Sequence, residues 1–165
     1  MNTSMKSNAS WAVRKSLLLC LLALLSWPLR APAQQNKVSI EPADPLTVKH
    51  ADSVKQTLKA VILPGYHVNS DKPKDEFLIP LKLTWNPGPL EAKSVTYPRP
   101  EEMDLNGQQI VVFTGTVPIE TRFVASKDAA KGPATMTGKL KYQACNNQMC
   151  FPPKTIDVHF PVVIE

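Results

Sequence analysis

Beyond its first 33 residues the chain has no run near the eighteen or so apolar residues that a membrane helix needs. The chain past that leader is expected to be soluble. No stretch carries a convincing helical period, which excludes a bundle. Glycine-rich phosphate loops, Ser/His/Asp patterns and paired carboxylates do not rise above background, so nucleotide and hydrolytic chemistry have no foothold. Closely spaced metal ligands are also missing. Two cysteines with His50, His67 or His159 would lack the close ligand pairs of a zinc site. No metal and no other cofactor is expected.

A surplus of charge is absent too, once the leader is set aside. The whole chain carries a formal +5. Lys6, Arg14, Lys15 and Arg30 supply four of the nineteen basic residues, and the leader holds none of the fourteen acids, so the remaining 132 residues stand at +1. No nucleic-acid partner is expected. The leader has the parts of a secretory signal: a positive start, an apolar run over Ser16 to Trp27, and Ala31-Pro32-Ala33 before a cut near Gln34. An uncleaved anchor is the alternative. Cys20 lies inside the apolar run behind Leu19, where a lipid anchor would want a small residue. Export therefore leaves two cysteines, Cys145 and Cys150, in a compartment where thiols can oxidise. Residues 1–33 are expected to be a signal peptide and residues 34–165 a single domain.

The domain alternates apolar and polar residues with a period of two. Val54, Leu58, Ala60 and Ile62 share one face, and Lys55, Thr57 and Lys59 the other. Ile79, Leu81, Leu83 and Trp85 repeat the pattern, as do Ile156, Val158, Phe160, Val162 and Ile164 near the end. Val38 to Ile40 reads as an edge strand in a proline-spaced arm, and Leu90 to Tyr97 as a weaker strand. Gly65 to Pro73 reads as a loop. Pro98 to Glu102 stiffens the chain before an Asn106-Gly107 turn, and Ile110 to Val117 looks like one strand buried on both faces. The expected fold is all-β, an immunoglobulin-like sandwich of about seven to nine strands.

The chemistry concentrates in Tyr142-Gln143-Ala144-Cys145 through Cys150-Phe151-Pro152-Pro153. Strand-like residues precede Cys145, four polar or flexible residues separate the thiols, and two prolines come after, so the segment reads as a tight hairpin with a sulfur on each arm. Facing residues of such a pair lie about 4.5 to 5.5 Å apart at Cα, within reach of a disulfide. Closing so short a loop stabilises a fold by roughly 2 kcal/mol, against about 4.7 for a hundred-residue loop. That favours a working dithiol, although a passive staple stays open. The alternation from Met136 to Ala144 puts Cys145 in phase with the polar residues and points its sulfur away from the core.

This hairpin resembles the active-site hairpin of the amino-terminal periplasmic domain of DsbD, the thiol:disulfide interchange protein. Gly65-Tyr66-His67-Val68-Asn69-Ser70 and Tyr97-Pro98-Arg99-Pro100-Glu101-Glu102 add supporting similarity. The resemblance implies an immunoglobulin-like fold, a periplasmic location and a Cys145/Cys150 redox pair. Such a pair takes electrons from a thioredoxin-like protein recharged by a membrane domain and passes them to oxidised periplasmic proteins. It also implies that the segment from Pro98 to Gln108 lies where the family carries a cap loop. Two departures stand out. Four residues separate these cysteines where the best-known members have five, and the chain has neither a multi-span membrane domain nor a thioredoxin-like one. A separate membrane electron donor of DsbD type is therefore expected, with the present chain a monomer. Asp75-Glu76-Phe77 looks like a family cap sequence but falls too early.

Within this reading Cys150 is expected to meet the partner's sulfur and Cys145 to resolve. His67 or Lys141 could lower a thiol pKa. Tyr66, His67, Tyr97, Pro98, Glu101, Tyr142, Phe151 and Pro152 are candidates for binding a partner or shielding the bond. Each also has a plainer reading: Tyr142 and Phe151 as packing, His67 as a hydrogen-bonded loop residue, Lys141 as solvated charge and Pro152 as the hairpin's end. The alternative function is a non-catalytic binding sandwich in which the disulfide is only a staple.

Overall fold

Two-residue alternation in a chain with little helical periodicity can bury its apolar side only by stacking sheets face to face. The computed structural model describes residues 36–105 and 107–165. The leader expected over residues 1–33, and Asn106 of the expected Asn106-Gly107 turn, lie outside the described residues. Gly107 itself adopts φ +84° between the paired residues Leu105 and Gln108.

Twelve strands and no helix make up the described residues. In chain order they are β1 (Val38–Ile40), β2 (Leu46–Val48), β3 (Ser53–Ile62), β4 (His67–Asn69), β5 (Lys82–Trp85), β6 (Leu90–Thr96), β7 (Glu101–Leu105), β8 (Gln108–Phe113), β9 (Thr116–Ala125), β10 (Gly132–Tyr142), β11 (Ala144–Cys145) and β12 (Lys154–Ile164). They form three four-stranded sheets, ordered β1-β3-β9-β6, β2-β12-β10-β5 and β11-β4-β8-β7. The fold is the all-β, immunoglobulin-like sandwich expected. The strand count exceeds seven to nine because pairings as short as β2, β4 and β11 carry too few residues to show a period.

Two apolar clusters fill the interior. One, around Leu90, Phe123, Met136 and Phe160, draws only on the first two sheets. The other, around Leu58, Ile119, Leu140 and Tyr142, also takes Val68 of β4 and Phe113 of β8. The third sheet therefore closes one end of the sandwich. Trp85 packs against both clusters, edge-on to Phe123 and Phe160 at 5.2 and 5.4 Å, while its indole N–H donates to Thr121 Oγ1 at 3.0 Å.

Two expectations change here. The run from Ile110 to Val117 is two strands, because Gly115 at φ +58° turns the chain between β8 and β9. The segment from Gly65 to Pro73 is not all loop: His67, Val68 and Asn69 form β4, with all three residues buried. Pro118 sits inside β9 opposite Lys59, beyond the last β6 partner at Glu120, so it interrupts no ladder on that side.

Gly138 of β10 faces Trp85 in the register. A β-carbon there would lie 2.7 Å from the Thr84 carbonyl oxygen and 2.7 Å from the Trp85 ring. Backbone cannot give way as a side-chain tip can. Gly138→Ala is expected to cost about 1 to 3 kcal/mol of stability through overpacking. Urea unfolding followed by the fluorescence of Trp85, the one tryptophan after residue 33, measures it directly.

Candidate functional site

β10 runs antiparallel to β12 from Gly132↔Ile164 to Tyr142↔Lys154 and then stops. Gln143 belongs to no strand, and the chain emerges as β11 in the third sheet, where Ala144 pairs with Val68 and Cys145 with His67. The reversal beyond Cys145 is held by Asn146. Its backbone N–H donates to the Met149 carbonyl at 3.0 Å, and its Oδ1 accepts the N–H groups of Gln148 and Met149 at 2.9 and 2.8 Å. On the return arm the Phe151 N–H donates to the Ala144 carbonyl at 2.9 Å, and Gln143 Nε2 donates to the Phe151 carbonyl at 3.1 Å.

Cys145 and Cys150 thus face each other as an isolated antiparallel bridge, their Cα atoms 4.0 Å apart and their sulfurs joined in a disulfide. The arms are unequal. Cys145 is only 1% exposed, whereas Cys150 is exposed, next to Met149 at 55%. This corrects the expectation that Cys145 points away from the interior. The period-two phase holds through Ala144, and it fails at Cys145 because the chain has changed sheets after Tyr142, so Ala144 and Cys145 are buried in succession.

The surroundings combine expected and unexpected residues. Tyr66 and Phe151 meet with ring centroids 5.8 Å apart, and the Lys37 ammonium lies 4.8 Å from the first ring and 5.6 Å from the second. Lys37 precedes β1 and nothing in the sequence marks it. A groove of about 290 Å³ runs beside the hairpin, with Tyr66 and His67 on one side, Asn147 from the loop between the cysteines, and Met103 from β7. His67 is buried, and burial pushes its imidazole below the ordinary value, so it is neutral near pH 7 and supplies no fixed charge to a thiolate. Pro152 is exposed beyond Phe151.

Other candidates lie elsewhere. Tyr142 is 1% exposed and presents no surface to a partner. Its phenol has no hydrogen-bond partner among the described residues, and burial raises its pKa while a backbone approach from Val38, short of bonding geometry, offsets part of that. Tyr97 accepts the Leu83 N–H at 2.7 Å and stacks on Phe113 at 6.4 Å, so it ties β5 to β8. Burial is the main cause of its raised pKa. Half-buried Pro98 comes next in the chain, and Glu101 accepts the Thr114 hydroxyl at 2.9 Å on β7, at the opposite edge of the third sheet from β11. The segment expected to act as a cap is largely the β7–β8 hairpin. It reaches the groove through Met103 and leaves Cys150 exposed. Lys141 is exposed on the outer face of β10.

A sandwich carrying a hairpin disulfide with one buried and one exposed cysteine has the geometry that a thiol–disulfide exchange module requires. The chain belongs to the family described as thiol:disulfide interchange protein DsbD, N-terminal, which matches residues 34–161. Among solved structures it is similar to the N-terminal periplasmic domain of ScsB from Proteus mirabilis. That likeness has 18% identity and a TM-score of 0.54, and covers 80% of this chain and 49% of that one. The present chain therefore spans about half the length of that structure. It is also similar to the reduced N-terminal domain of DsbD from Neisseria meningitidis, at 18% identity and a TM-score of 0.43 over 69% of this chain and 80% of that one. At 18% identity the likeness to the ScsB domain speaks to the fold alone. No curated protein matches the chain.

The buried His67 makes a pH dependence testable. Its folded pKa lies below the unfolded value of about 6.5, so the unfolded chain binds more protons as pH falls through that range. Stability present above pH about 6.5 is lost on the acid side. Urea midpoints at pH 7.5 and 5.5 are expected to show this loss in the wild type, and His67→Gln to diminish it.

Proposed function

We propose that the chain is exported, loses residues 1–33, and works in the periplasm as a monomeric electron carrier whose Cys145/Cys150 pair opens and closes. The observation that carries this reading is the joined pair with one arm exposed and the other buried, in a chain of this family. Family membership beginning at residue 34 agrees with removal of the leader.

The exposed arm supports one order of events. A thiolate of a thioredoxin-like donor attacks Sγ of Cys150, the bond between the two cysteines breaks, and Cys145 leaves as a thiolate that takes a proton from solvent. The donor's second thiol, deprotonated, then attacks the donor sulfur in the mixed disulfide and releases Cys150. The donor ends as a disulfide and the pair as a dithiol, two electrons richer. The same steps in reverse, with Cys150 attacking the disulfide of an oxidised periplasmic protein and Cys145 resolving, deliver those electrons. A separate membrane protein of DsbD type would recharge the donor.

A binding sandwich with a structural staple is the competing reading, and the reduction potential separates the two. A value well below about −300 mV marks a structural bond, and one in the range of known shuttles marks a labile pair. Variants test the order of attack. Cys145→Ala should accumulate a mixed disulfide through Cys150, and Cys150→Ala should stay folded and trap none. Full exchange with a reduced thioredoxin-like donor by both variants would defeat the proposal.

A further inference from the structure

Cations collect around the disulfide end with no carboxylate paired to them among the described residues. Along the outer face of the second sheet, Lys139 has Asp157 at 3.4 Å. One step nearer the cysteines, Lys141 stands directly opposite Lys82 of β5 in the register, and both are exposed. Neither meets a carboxylate within ion-pair distance among the described residues. Asp71 lines the same groove as Lys82 but makes no ion pair with it. Like charges placed directly opposite each other across a strand pair destabilise it. On the first sheet Lys55 meets Glu120 at 2.9 Å and Lys59 meets Glu41 at 3.3 Å, and Arg122, which also stands opposite Lys55 in the register, donates to Ser53 Oγ at 2.9 Å.

On the other flank, Lys154 sits opposite Tyr142 and donates to the Asn36 amide oxygen at 3.2 Å. Lys37 rests on the rings of Tyr66 and Phe151. The segment from Gln143 to Pro153 contributes no acidic residue. A chain whose net charge after the leader is +1 thus concentrates positive charge around its one reactive bond.

We propose that Lys37, Lys82, Lys141 and Lys154 make this end a docking face for an acidic protein, the thioredoxin-like donor carrying Asp and Glu around its attacking thiol. This deepens the exchange reading and rests on it. Opposed potentials steer encounter and orient the sulfurs, an effect that added salt weakens.

Three small thiols test the local field on the intact mature chain: neutral dithiothreitol, anionic 2-mercaptoethanesulfonate and cationic cysteamine. Lys82→Gln/Lys141→Gln should slow the anionic thiol about two- to threefold at low salt, the scale of two unit charges about 10 Å away in water. It should leave dithiothreitol unchanged and should not slow cysteamine, while Lys93→Gln on β6 changes none of the three. Reduction by an acidic thioredoxin-like domain should fall with ionic strength in the wild type and less steeply in the double variant. If dithiothreitol cannot open the bond, the exchange reading fails and this inference with it. If dithiothreitol opens it but the charged thiols and the acidic donor ignore the lysines, only this inference fails. Loss of binding to phosphatidylglycerol vesicles in the double variant, with donor kinetics unchanged, would overturn it in favour of a membrane surface.

Discussion

The site depends on one backbone event, the departure of the chain from the second sheet at Gln143. Tyr142 makes the last pairing with β12, and two residues later Ala144 and Cys145 pair with β4 in another sheet. Backbone groups cannot be left unpaired in the interior. The crossing is tolerated because the Gln143 side chain and the Phe151 amide bind the two hairpin arms to each other. A strand that stays in one sheet must alternate faces. A strand that changes sheets need not, and that is how consecutive residues Ala144 and Cys145 can both be buried.

From that crossing comes the inequality of the two sulfur-bearing arms. Which sulfur of a disulfide is attacked depends on access as well as on thiol acidity. Here access alone distinguishes them, since Cys145 is enclosed and Cys150 is not. Acidity has fewer levers than the sequence offered. The buried imidazole of His67 is neutral, so positive charge must come from the lysines around the hairpin, of which Lys37 is held by aromatic faces.

The long strands were legible because a ten-residue alternation leaves little freedom: β3, β10 and β12 bury the residues their patterns assign. The hairpin was legible because turn residues between two cysteines and a double proline behind them act locally. Three features were not. β4 is three consecutive buried residues, too short for any period, and its presence is due to Cys145 and Phe113 on either side of it rather than to its own composition. The burial of Cys145 contradicts a phase extrapolated across a break that the sequence does not mark. Lys37 reaches the site from the far end of the domain's sequence, just before β1, and only the assembled sheets bring it there. The excess of strands over the expected seven to nine has the same origin as the missed β4.

Opening the bond need not disturb the scaffold. A loop closed over five residues of separation contributes roughly 2 kcal/mol at most in the chain-entropy account, little against a core drawn from three sheets. The hairpin's own hydrogen bonds, from Asn146 to Met149 and from Phe151 to Ala144, do not involve sulfur and can persist when the thiols separate. Cys145 would remain enclosed beside His67, so a released thiolate stays positioned to return. The short hairpin holds the two Cα atoms 4.0 Å apart, which keeps the thiols close enough to rejoin. From outside, the bond is reached through the exposed arm, where the Tyr66 ring and the Lys37 ammonium lie against Phe151.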